Sequence, residues 1–211
     1  MEQIVRLGGE PKYALRVREL RARFEARTGA FTPEDPWFEE RIRAFWCDAV
    51  TRGRLGAEVA SELGAAHLPS IASLERAHRG MFRADGRHLA DAWSGAEFRL
   101  STLDDETRDE LAAAAGQVFD GRVVAGVRPL GIALLPGAVF HSCDATPAIE
   151  GVLRVARERS LTADDTFDAL LRMGRARHAS PHVRASYAYR PEGLVTDRAA
   201  APPRRFARAH E

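Results

Sequence analysis

The residues best placed to do chemistry are His141, Ser142, Cys143 and Asp144, four polar side chains in a row. They fall where a short apolar segment ending at Phe140 gives way to a helix signal. A thiol at such a junction is drawn toward thiolate by a helix N-terminus or a neighbouring base, so Cys143 with His141 as base is a candidate nucleophilic pair. Against it, no oxyanion donor and no group to orient the base can be picked out, and Asp144 is accounted for as a helix cap. His178 and His182 are four apart, but Pro181 between them denies them one helical face. They are candidate metal ligands only if folding brings them to His141, Cys143 or Asp144, because zinc sites pair their ligands at tighter, repeated spacings. The carboxylate pairs Glu39/Glu40, Asp104/Asp105 and Asp164/Asp165 all fall in expected first turns of helices, where they complement unpaired backbone N–H groups. Gly8-Gly9 and Gly126…Gly131 lack the lysine and the strand-to-helix context of a phosphate loop, and there is no serine elbow. No cofactor motif is present.

A second group of candidates is basic. Of the 31 cationic residues only Lys12 is lysine, and residues 171–211 hold nine arginines against Glu192, Asp197 and Glu211. Arg175, Arg177, Arg184 and Arg190 interleave with Tyr187 and Tyr189. Guanidinium forks suit carboxylate and phosphate, and the rings supply stacking faces, so these six are the candidate binding residues. Residues 1–150 carry a balance of −4 and residues 151–211 one of +5, giving +1 overall. A net charge this small sets up no global field toward nucleic acid or membrane. The other arginines are scattered and, with the abundant alanine, read as the imprint of GC-rich codons.

Two cysteines make no disulfide framework, which fits a reducing compartment. The N-terminal residues lack the apolar stretch of a signal peptide, and no apolar run approaches the ~18 residues that span a bilayer. The expectation is a cytoplasmic protein with no membrane partner.

The elements that must position these residues centre on 119–140, where short apolar segments are broken by Gly126, Pro129, Gly131, Pro136 and Gly137. Strands are expected over 119–126, 131–135 and 138–140. They are preceded by short ones at 81–83, 87–93 and 97–100 around the turn signals Asp85-Gly86 and Ser94-Gly95. A helix over 102–115 interrupts them. Before them come a flexible lead-in over 1–10 and a helix from Pro11 with Tyr13, Val17, Leu20 and Phe24 on one face. A second helix comes next, opened by Thr32 or Asp35 and rich in aromatics from Trp37 to Trp46. These two pair as a hairpin, and short helices are expected after it at 55–63 and 71–78, the latter capped by Ser70. Beyond the strands lie helices over 147–159 and 163–177, the second capped by Thr162. Residues 183–189 alternate weakly and read as an edge strand or an extended segment, and 196–211 as a disordered tail.

The fold class expected is α+β: a small antiparallel curled sheet or partly closed barrel of about five strands, flanked by the N-terminal hairpin and two C-terminal helices. The regions are 1–80 helical, 81–143 the barrel-like core with its inserted helix, 144–178 the helical pair, and 179–211 the basic tail. The leading functional expectation is a non-catalytic interaction or scaffold protein with a protein partner. The alternative is nucleic-acid binding through the Arg/Tyr segment, and the third an enzyme centred on Cys143 and His141.

Overall fold

The computed structural model describes residues 1–101, 105–126, 131–180 and 182–194. The expected tail over 196–211, Asp104 of one carboxylate pair and the start of the helix expected at 102 lie outside these. The fold is α+β, built on one antiparallel, curled sheet. Its strands are β1 (His78–Asp85), β2 (His88–Asp91), β3 (Glu97–Arg99), β4 (Val118–Ala125), β5 (Ile132–Leu134) and β6 (Val139–Phe140). Their order is β3-β2-β1-β4-β5, and β5 and β6 share the outer edge of β4 end to end. Gly86, at φ 57°, turns β1 into β2 as the Asp85-Gly86 signal predicts.

The helices are α1 (Glu2–Gly8), α2 (Ala14–Thr28), α3 (Phe38–Thr51), α4 (Leu55–Glu58), α5 (Ala60–Leu63) and α6 (Leu68–Leu74), then α7 (Asp105–Ala113), α8 (Thr146–Glu158), α9 (Ala163–Ala179) and α10 (Ala185–Ala188). Four of them correct the sequence expectations. The lead-in is a helix, because Ile4 and Leu7 are buried and Gly8 passes so close to Leu55 and Trp46 that a Cβ would stand 2.8 Å from Leu55 Cδ2. α3 starts later than its prolines suggest. Asp35 does not cap it but accepts the Thr32 N–H at 2.9 Å, closing a turn ahead of the helix. α6 begins at Leu68, with Pro69 in its first turn, and ends before His78, which already belongs to β1. Residues 185–188 form a helical turn and not a strand. Ala185 and Tyr189, four apart, are the buried pair, and that is helical spacing.

β4 is buried on both faces, so the sheet divides the interior. Phe82 of β1, Phe119 and Val123 of β4 and Leu89 of β2 face one side, where Leu111 of α7 covers them. Their rings need the paired glycines Gly80 and Gly121. Phe82 lies over the first and Phe119 over the second, so that a Cβ at Gly80 would meet Phe82 Cζ at 2.6 Å. The opposite face of the same two strands carries Arg79, Met81, Val118, Asp120, Arg122 and Val124. Two apolar clusters cover it. One is built on α2, α3 and α6, the other on α8 and α9 with Ala185, Tyr189 and Leu194.

Candidate functional site

The charged residues of that second sheet face meet charged residues of the helices at the seam between the two clusters. Asp48 stands on α3, one residue past the apolar Cys47, and Asp168 stands on α9, four residues after Asp164. The six groups form an unbroken alternating chain. Arg122 donates to Asp48 at 2.8 Å. Arg27, from the last turn of α2, joins Asp48 at 2.6 Å to Asp168 at 2.9 Å. Arg79 donates to Asp168 at 2.8 Å and grips Asp120 with two N–H groups at 3.0 and 2.5 Å. At the rim, Arg52 reaches Asp168 at 3.4 Å and Asp164 at 3.7 Å, and Arg79 also reaches Asp164 at 3.2 Å. Three arginines and three aspartates cancel, and every carboxylate of this network has at least two arginine N–H donors. That is the condition under which buried charge is tolerated. Burial alone would push the Asp168 carboxyl up, but the charges and hydrogen bonds of Arg79 and Arg27 outweigh it and hold it below its ordinary value. The same balance keeps Arg79 charged: burial opposes the charge and Asp120 more than restores it.

The first turn of α9 sets Asp164 and Asp168 in place, and Thr162 fixes that turn by accepting the Asp165 N–H at 3.1 Å. Thr162→Ala should cost about 1 kcal/mol in urea unfolding. A loss below about 0.3 kcal/mol would mean that packing alone holds the helix start.

The reactive cluster predicted from the sequence is separated by folding. His141 is buried: its backbone N–H donates to Val118 O at 2.9 Å, and its Nδ1 lies 2.7 Å from the Tyr189 hydroxyl. Trp37 packs edge-on against it and stacks on His178 at 4.3 Å. Burial, with the His178 charge adding and Asp120 opposing, pulls the His141 pKa down to about 4. Cys143 is exposed, and its thiol donates to Ala115 O at 4.0 Å rather than to the His141 ring. His178 is half-buried against Trp37 and His182 is exposed. Among the described residues no group of three or more His, Cys, Asp or Glu is arranged to hold a metal ion. Asp144 does not cap α8; it faces Arg177 at 3.5 Å.

The six predicted binding residues also part company. Tyr189 is buried, with its phenol pKa raised chiefly by burial. Arg175 pairs with Asp35 at 3.7 Å and Arg177 with Asp144. Arg184, Tyr187 and Arg190 stay together on the surface around α10, where the Arg190 guanidinium lies 4.8 Å from the centre of the Tyr187 ring. Tyr187 is 59% exposed and Val183 41%, and these are two of the four large apolar side chains left exposed among the described residues.

Sequence reasoning missed Arg27, Asp48, Arg79, Asp120, Arg122 and Asp168, and read the arginines among them as codon bias. One signal was present. Asp120 and Arg122 interrupt an otherwise apolar strand at i and i+2, and two charges on one face of a strand buried on both faces must find partners. Among the described residues no helix is long and apolar enough to cross a membrane. Compared with known proteins, the chain matches no family model, no curated protein and no solved structure.

Proposed function

We propose that this chain is a non-catalytic interaction protein whose docking surface is the turn around α10, and that its partner is an acidic protein segment carrying apolar side chains. The observation that carries this reading is the exposed Tyr187 with Arg190 laid against its ring, flanked by Val183 and Arg184. A solvated ring and a solvated valine within five residues form an apolar patch that a partner can cover. Arg184, Arg190 and His182 lie in the same stretch, with Arg190 against the Tyr187 ring, and no acidic residue occurs from 179 to 191, so the complementary surface is negative. Tyr and Arg are also the residue types that most often carry interface energy. An enzyme centred on Cys143 and His141 has less support, because the imidazole nitrogen that makes a hydrogen bond makes it with Tyr189 and not with the thiol.

The test is fluorescence anisotropy of the full chain with a short labelled peptide interleaving Asp and Glu with Leu and Phe. Single-stranded DNA and RNA oligonucleotides run alongside, at about 50 and about 200 mM salt. The peptide should bind, and Tyr187→Ser and Arg184→Glu/Arg190→Glu should each weaken it about tenfold or more. Tighter binding of the oligonucleotides, with a steep fall at the higher salt, would replace the protein partner by nucleic acid. Peptide affinity indifferent to all three substitutions would remove this surface from consideration.

A further inference from the structure

Beside the ion network, the surface opens into a cleft of about 720 Å³, within the range of small-molecule sites. It lies where the end of α3, the start of β1 and the first turn of α9 converge, and Arg79 and Arg122 are part of its wall. Both arginines have side chains only 8% exposed. None of the residues of the α10 docking surface lines the cleft, so a ligand bound here neither requires nor excludes a partner there.

From this cleft we infer a binding site for a small zwitterion, with the chemistry of a free amino acid or the exposed end of a short peptide. Its lining carries both signs, Arg52, Arg79 and Arg122 with Glu75, Asp164 and Asp165, and the half-exposed His78 among them; Asp164 is already reached by Arg52 at 3.7 Å and by Arg79 at 3.2 Å. Balance decides the ligand class. A polyanion would be met by three carboxylates, and a polycation by three guanidinium groups. A molecule carrying one charge of each sign, set a few ångströms apart, satisfies both walls.

The two halves of such a ligand have specific partners. Arg122, one of the residues lining the cleft, gives Asp48 one hydrogen bond, through Nη2. Arg52 is 41% exposed and holds its aspartates only at 3.4 and 3.7 Å. These two arginines can take a carboxylate without dismantling the chain of six. On the other wall, Glu75 Oε2 accepts from Arg54 at 3.1 Å, whereas its Oε1 is enclosed with no hydrogen-bond partner. An enclosed carboxylate oxygen without a donor is costly, and the terminal torsion of a glutamate is soft enough to turn it into the cleft. An ammonium group arriving there supplies the missing donor.

The experiment is amide NMR titration of the native chain with pooled free amino acids and with a pool of dipeptides. Inorganic phosphate and putrescine serve as single-sign probes. One of the zwitterion pools should shift the amides of Thr51, Ala77, His78 and Ala163, and the stronger pool identifies the source. Glu75→Ala and Arg52→Gln should each weaken that binding roughly tenfold or more, with amides far from the cleft unmoved to show that the fold is intact. No shifts from either zwitterion pool at millimolar concentration, or equal shifts from phosphate alone, would overturn the assignment. So would zwitterion affinity unchanged in both variants.

Discussion

Replacing Arg79 by methionine should lower the free energy of unfolding by about 3–5 kcal/mol, measured by urea titration at neutral pH. Arg79 is the only group that touches both Asp120 and Asp168 within the chain of six, and it donates to each. Methionine fills much of the volume but leaves two buried carboxylates short of donors, and breaking a buried pair from one side is the costly way to break it. Set against a typical domain stability of roughly 5–15 kcal/mol, the variant would be close to unfolding. The same cause has two other measurable effects. Adding Asp120→Leu should return roughly 1–2 kcal/mol, because the second change removes one of the stranded charges. The deficit of Arg79→Met relative to the native chain should also shrink on mild acidification, as the stranded carboxylates take up protons. A loss under about 1 kcal/mol, with no recovery in the double variant, would show that the network contributes far less than its geometry implies.

Stability should also fall by about 3 kcal/mol as pH drops from 6.5 to 4, through His141 alone. Above pH 6.5 the imidazole is neutral in both folded and unfolded chains, so it contributes no pH dependence. Below 6.5 the unfolded chain binds a proton there, but the folded chain does not until pH falls to about 4, because the ring is buried beside Trp37 and Tyr189. Unfolding is therefore favoured progressively across that window. The carboxylates lose stability in the same direction but over a lower window: Asp168, held below its ordinary value, keeps its contribution down to about pH 4 and loses it only below. His141→Gln can keep a polar contact to Tyr189 and cannot titrate, so its unfolding free energy should be nearly flat from pH 6.5 to 4. His178, lowered chiefly by burial, accounts for a residual slope of the same sign, and adding His178→Gln should remove it. An unchanged slope in the double variant would place the titrating group elsewhere.

Local chemistry was enough to find most of the elements. The Thr162 cap and the four-residue spacing of Phe167, Leu170, Leu171 and Gly174 located α9 and its inward face, all four being buried. The glycine-broken apolar runs located β4, β5 and β6, and Asp85-Gly86 located the first hairpin. These signals are short-range, so they survive in the order of residues. The boundaries that went astray were set by contacts from far along the chain. Gly8 is tied to α1 by Leu55 and Trp46, and Tyr189 is folded inward by His141 rather than left on the surface with Tyr187.

What the sequence determined by itself was therefore the class of fold, the curled antiparallel sheet with helices on either side, and the basic aromatic character of the 182–190 stretch. Tertiary structure alone decided which charges matter. Arg27, Asp48, Arg79 and Asp168 look like ordinary helix- and strand-surface residues, because their partners lie 21, 41, 89 and 141 positions away along the chain. A propensity or a periodicity reports what a residue does for its neighbours within a turn or a strand. Whether an arginine is solvated or sealed against a carboxylate depends on which surfaces the folded chain presses together, and that information exists only once the two helical clusters have closed on the sheet.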